Sequence, residues 1–184
     1  MKKLLFFLLA FLYINIISAQ PLFRGLVYDM PRKKAYKEYK RHRSDYINIR
    51  MDQGIVWSVY KHNMSICHGK LKGLMLVPRS TSIGMSHVMG KEYLDKSFQF
   101  LINRGYTIWR EPKNWNDPLY FNRNNASGIV LVSPSKHTTV ELRPTYIAST
   151  NNFTITLMIN TFRNYIDEGK NRYSYKRKKD DTGF

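Results

Sequence analysis

Cysteine is almost absent from this chain. Its 184 residues include one, Cys67, so no intramolecular disulfide can form. Small exported domains usually carry several cysteines. This one must be held by its core, and a chain of this length buries enough surface for that. Cys67 itself is expected to be buried as a small hydrophobe, the alternative being a thiol that pairs with another chain. A single cysteine also excludes a zinc site built from cysteine clusters. The histidines, His42, His62, His68, His87 and His137, do not replace it, because no two are four residues apart and no H-E-x-x-H occurs. Cys67 and His68 are adjacent, and on one strand they would point to opposite faces rather than pair as nucleophile and base. G-x-G-x-x-G, the phosphate-binding loop and G-x-S-x-G are missing as well. The sequence therefore calls for no cofactor and no metal.

Acidic residues are also scarce. There are 13 Asp and Glu against 30 Lys and Arg, a net charge of +17 and a pI near 10.0. Such a surplus draws anionic partners and repels cationic ones. The hydrophobic share of 43% is too high for a disordered chain and too low for a polytopic membrane protein.

Long apolar runs are limited to one. Leu4 to Ile17 follows Met1-Lys2-Lys3 and precedes Ser18-Ala19-Gln20. This is the three-part pattern of an export signal cut after Ala19, placing the protein in a periplasm or outside the cell. The run is shorter than the ~20 residues that span a bilayer, and nothing later is long enough, so no integral span is expected after cleavage. Cleavage removes Lys2 and Lys3 and leaves a balance of +15.

The remaining charge is uneven. Residues 32–43 hold seven Lys or Arg and one Glu, and residues 163–184 hold seven against four. After a leader over residues 20–31, whose Leu22, Phe23, Leu26 and Val27 are expected to pack on the domain, Pro31 introduces the first of these segments. Ala35, Tyr36, Tyr39 and Arg43 fall at helical spacing there, which predicts a short basic helix with a tyrosine stripe. Residues 20–44 are thus read as leader and basic segment, 45–162 as one domain, and 163–184 as a polar basic tail expected to be disordered.

Within the domain the period changes. Tyr46 to Met51 alternates, which puts Ile47, Ile49 and Met51 on one strand face, and Ile55 to Tyr60 returns after the turn residues Asp52-Gln53-Gly54. Ser65 to Val77 predicts a strand pair or one bent strand. Leu94, Phe98, Leu101 and Ile102 mark one face of a helix from about Gly90 to Arg104, closed by Gly105. Further strands are expected at Tyr106–Arg110, Pro118–Asn122, Ile129–Ser133, His137–Arg143 (continuing past Pro144) and Phe153–Asn160. This order predicts an α+β fold, a mostly antiparallel sheet with one main amphipathic helix on one face.

Three functional readings follow. The first is a non-enzymatic protein that binds an anionic polymer, a lipid headgroup or nucleic acid through Arg32, Lys33, Lys34, Lys37, Lys40 and Arg41, with neighbouring tyrosines able to stack. The second rests on the odd positions of the strand after His137. His137, Glu141 and Arg143 on one face supply a base or acid, a carboxylate and a guanidinium, the parts of a metal-free ribonuclease; an ordinary solvated strand face has the same composition. The third is a protein partner at an envelope complex, met by Trp109, Trp115 and Tyr120 in an aromatic loop, although capping of the core is the expected role of those rings. Asn63, Asn125 and Asn152 begin N-glycosylation triplets.

Overall fold

The computed structural model describes residues 20–52, 55–79, 84–112, 128–147, 149–150 and 152–161. The expected export signal, the strand expected at 118–122 and the basic tail lie outside them.

Two short strands, β1 (Pro21–Phe23) and β2 (Leu26–Val27), form a small hairpin. Its two-residue turn, Arg24-Gly25, has positive φ at both positions. Helices α1 (Arg32–Arg41) and α2 (Arg43–Ile47) follow, then β3 (Ile49–Asp52) and β4 (Ile55–Ser58). A 3-10 turn (Lys61–Asn63) leads into β5 (Met64–Cys67) and β6 (Lys70–Pro78). The long helix α3 (His87–Ile102) precedes β7 (Thr107–Arg110), β8 (Ile129–Val132), β9 (Thr138–Ile147) and β10 (Asn152–Thr161).

The large sheet runs β3-β4-β6-β10-β9-β8-β7, and β5 pairs with the flank of β6 that β4 uses further along. Every described pairing is antiparallel. The register explains the two faces. Leu142↔Leu157 and Val140↔Ile159 put aliphatic side chains on the side that packs with Leu94 and Leu101 of α3. Glu141↔Met158 and Arg143↔Thr156 fall on the opposite side. The fold is α+β, as the alternation of elements in the sequence implies.

Local chemistry sets the ends of α3. Ser86 caps it by accepting the Met89 N–H at 3.4 Å, so the helix begins before Gly90. It closes with Gly105 N–H to Ile102 C=O at 2.8 Å and Tyr106 N–H to Leu101 C=O at 3.1 Å, with Gly105 at φ +79. This left-handed close is the one the glycine signals. Residues 65–77 form a strand pair, turned by His68-Gly69, both at positive φ.

Tyr46 and Ile47 depart from the sequence expectation. They lie in α2, not in a strand, and β3 starts at Ile49. Alternation over six residues is outweighed here by burial of one ring. Tyr46 is fully buried, stacks on Tyr39 of α1 at 5.5 Å, and donates its phenol to the Arg24 carbonyl at 2.5 Å.

The leader belongs to the same core. Leu22, Leu26, Met30, Ala35 and Tyr39 cluster with Trp57, Leu71, Leu76 and Phe153. Backbone bonds add to this. Asp29 N–H reaches Leu71 C=O, Leu71 N–H reaches Met30 C=O, and Arg32 N–H reaches Gly69 C=O, each at 2.8 Å. Tyr39→Ala removes the ring that joins α1 to α2 and is expected to cost about 3 kcal/mol, read as a lower midpoint in chemical denaturation.

Three groups titrate late. Burial holds the phenols of Tyr46 and Tyr106 above the usual 10.0, and the hydrogen bond to Asp29 holds the Lys72 ammonium above 10.5. All three keep their protons in the folded chain at pH values where the unfolded chain releases them. The stability they contribute is complete below about pH 10 and is lost as pH rises through their folded values. A melting series should therefore fall beyond pH 10, and less steeply in Tyr46→Phe.

Candidate functional site

Helix α1 is built against its own sequence. Pro31 precedes it with no side-chain cap, and no acidic residue occupies its first turn. Arg32, Lys33 and Lys34 instead stand at the positive end of the helix dipole, where cations are unfavourable. Like charges at Lys33/Lys37 and Lys37/Arg41 repel across i,i+4. Tertiary contacts overcome this: Ala35 and Tyr39 are buried, and Pro31 bridges to Lys70 of the β5–β6 hairpin.

With Ala35 and Tyr39 inward, the helical period turns Lys33, Lys37 and Lys40 to the opposite side, flanked by Lys34 and Arg41. All five, and Arg32, are exposed. The structure thus brings five of the six sequence-nominated cations to one face of a helix packed on the core, with Arg32 at its edge beside Tyr36. Glu38 is the helix's single carboxylate, and it lies 3.5 Å from Arg41 and 3.6 Å from His42. Among the described residues no carboxylate lies within ion-pair distance of Lys33, Lys34, Lys37 or Lys40.

The 3-10 turn extends this face. Lys61 Nζ stands 4.5 Å from the centre of the Tyr36 ring, and the Arg32 guanidinium 5.2 Å from it. Tyr60 and His62 stack at 5.6 Å beside them. Sequence reading gave no role to Lys61, although its place between Tyr60 and His62 repeats the cation–aromatic interleaving of α1. Residues 20–79 together carry thirteen Lys and Arg against four Asp and Glu.

The second nominated set separates. Glu141 and Arg143 meet on β9, but His137 lies before the strand in an exposed bend, following Lys136 at φ +56. The strand rise puts the backbone at 138 and 141 about 10 Å apart. Buried Glu141 is engaged through one oxygen. Its Oε1 accepts from Gly128 N–H at 3.2 Å and from Arg143 Nε and Nη2 at 3.2 and 2.9 Å, with Arg110 Nη2 3.7 Å away. Gly128 leaves no room beside it, since a Cβ there would stand 2.4 Å from the Leu142 carbonyl oxygen and 2.6 Å from Glu141 Cγ. This carboxylate clamps β8, β9 and β7 together.

Cys67 corrects the sequence reading twice. It is exposed, not buried. Its Sγ also lies 3.1 Å from His68 Nδ1. Adjacent side chains point to opposite faces only where both residues are on the strand. His68 has left it for the hairpin turn, at φ +48, which swings its ring back beside the thiol. The expected capping role also fails for Trp109, which is exposed on β7; Trp115 and Tyr120 lie outside the described residues. Asn63 is buried and closed to glycosylation as folded. No group of three or more metal-ligating side chains occurs among the described residues. No described helix is long and apolar enough to cross a membrane.

Comparison with known proteins adds no assignment: no protein-family model, no curated protein and no solved structure matches the chain.

Glu141→Ala should cost about 2 kcal/mol, because it strips a buried N–H and a guanidinium of their acceptor while the arginine can still hydrate. His137→Ala should stay within about 0.5 kcal/mol of wild type. Parallel denaturation of the two variants checks the pair.

Proposed function

We propose that this is an exported, non-enzymatic protein that holds a polyanionic partner on the face of α1. The observation that carries this reading is the row Lys33, Lys37 and Lys40 on a helix fixed to the core, with no carboxylate pairing them among the described residues. A solubilising charge run needs neither rigidity nor first-turn cations that weaken the helix bearing them. Cations held at one face, about 6 Å and 4.5 Å apart along the axis, act together on a partner with closely spaced negative charge. Export is supported by the Met1–Gln20 pattern of basic start, apolar run and small residues.

Tyr36 adds a second mode of contact. Its half-buried ring carries Arg32 and Lys61 over it, so a base or a sugar can meet its open edge while the cations take phosphate or carboxylate. Acidic polymers, anionic bilayers and nucleic acids all satisfy the charge requirement, and the affinities measured side by side rank them.

The test is binding at low salt to anionic vesicles, to RNA and to an acidic polysaccharide. At least one should bind, with affinity falling steeply as salt rises. The triple variant K33Q/K37Q/K40Q should lose about a hundredfold. Absence of binding to all three at low salt, or full affinity in the triple variant, removes the reading.

A further inference from the structure

A cleft of about 320 Å³ opens between β1, β3, the last turn of α3 and the starts of β9 and the end of β10. Its floor is apolar, made by Leu22, Leu101, Val140, Leu157 and Ile159 among others. Its charged lining is of one sign, Arg24, Arg50 and Arg104, and among the described residues no Asp or Glu lines it. Two of these arginines lie on the cleft's own aromatic walls. The Arg104 guanidinium is 4.3 Å from the Phe100 ring centre, and that of Arg24 is 5.3 Å from Phe23. Arg24 is further fixed by donating Nη1 to the Asp45 carbonyl at 2.6 Å. Arg50 has no ion pair among the described residues.

We infer that this cleft binds a single-chain anionic amphiphile, with its alkyl tail on the aliphatic floor and its carboxylate at the arginines. The charge pattern selects that class. An apolar floor without cations would take any small hydrophobe, and cations without a floor would take any small anion. Here an unneutralised cationic rim and a lipophilic base are continuous. The volume stands near the low end of small-molecule sites, about 300–1,000 Å³, which suits one chain of medium length and not a two-chain lipid. Guanidinium groups lying on aromatic rings are already desolvated on one side and remain open to a bidentate carboxylate on their edges.

The site shares none of the lysines of α1, so it stands or falls separately from the polyanion reading. Isothermal titration of the full chain with hexanoate, octanoate and decanoate tests it. Saturable 1:1 binding is expected, tightening about fourfold per added methylene until the cleft is full. Acetate and 1-decanol should each bind at least tenfold more weakly than decanoate. The double variant Arg50→Gln/Arg104→Gln should lose tenfold or more, and the K33Q/K37Q/K40Q variant should bind decanoate as wild type does. Should the arginine variant fold poorly, amide shifts of the wild-type protein decide the matter. Decanoate must perturb residues around Phe100, Tyr106 and Thr138, and perturbation centred elsewhere overturns the assignment. No saturable decanoate binding, no dependence on chain length, or undiminished affinity in a folded arginine variant overturns it equally.

Discussion

The stack of Tyr39 on Tyr46 is the contact on which the cationic end of this molecule depends. A ten-residue helix with six exposed cations and no side-chain cap is too short and too self-repelling to persist in water. It persists because Tyr39 is driven into the core and meets a ring that is itself fully buried and tied by its hydroxyl to the backbone of the β1–β2 turn. Burial of large aromatic rings supplies the free energy, and the hydrogen bond removes the cost of enclosing a phenol. The local and the global preferences of α1 conflict, and such conflicts concentrate where a sequence serves something other than stability.

The two faces of the large sheet answer to different chemistry. On the α3 side, aliphatic pairs across β10, β9 and β8 make an ordinary dry core. On the other side, Glu141 gathers a backbone N–H from Gly128 and guanidinium groups from Arg143 and Arg110. That cluster does for β7, β8 and β9 what apolar packing does elsewhere. The contacts with Gly128, Arg143 and Arg110 all converge on one oxygen, Oε1, of this buried carboxylate.

Much of the architecture is legible in the sequence where one period runs long enough. Leu94, Phe98, Leu101 and Ile102 define α3, Gly105 its end, and the alternation after Phe153 defines β10. The basic helix is legible too, from Pro31 and the spacing of Ala35 and Tyr39. What escapes notice depends on partners far along the chain. Tyr46 reads as strand because the contact that makes it helical is with Arg24, twenty-two residues earlier. Cys67 and His68 read as divergent because the positive φ of His68 leaves no mark on the sequence beyond the glycine that follows. The arginine-rimmed cleft is invisible in principle, since Arg24, Arg50 and Arg104 come from three separate elements and nothing in their local sequence sets them apart from the other cations.

Pro144 settles a hydrogen-bonding problem where β9 outruns its neighbour. β9 continues past the last β8 pair, Ile129↔Leu142, so its next residues run on beyond β8. Gly128 meets the Leu142 carbonyl, which therefore points toward β8, and the residue two positions on shares that direction. That residue is Pro144, which has no N–H to offer. Pro144 is itself buried, so the position where β9 outruns β8 is covered, and proline there leaves no unpaired N–H to enclose. Any other residue here would bring an amide donor into a covered position where none of the described strands offers it a carbonyl.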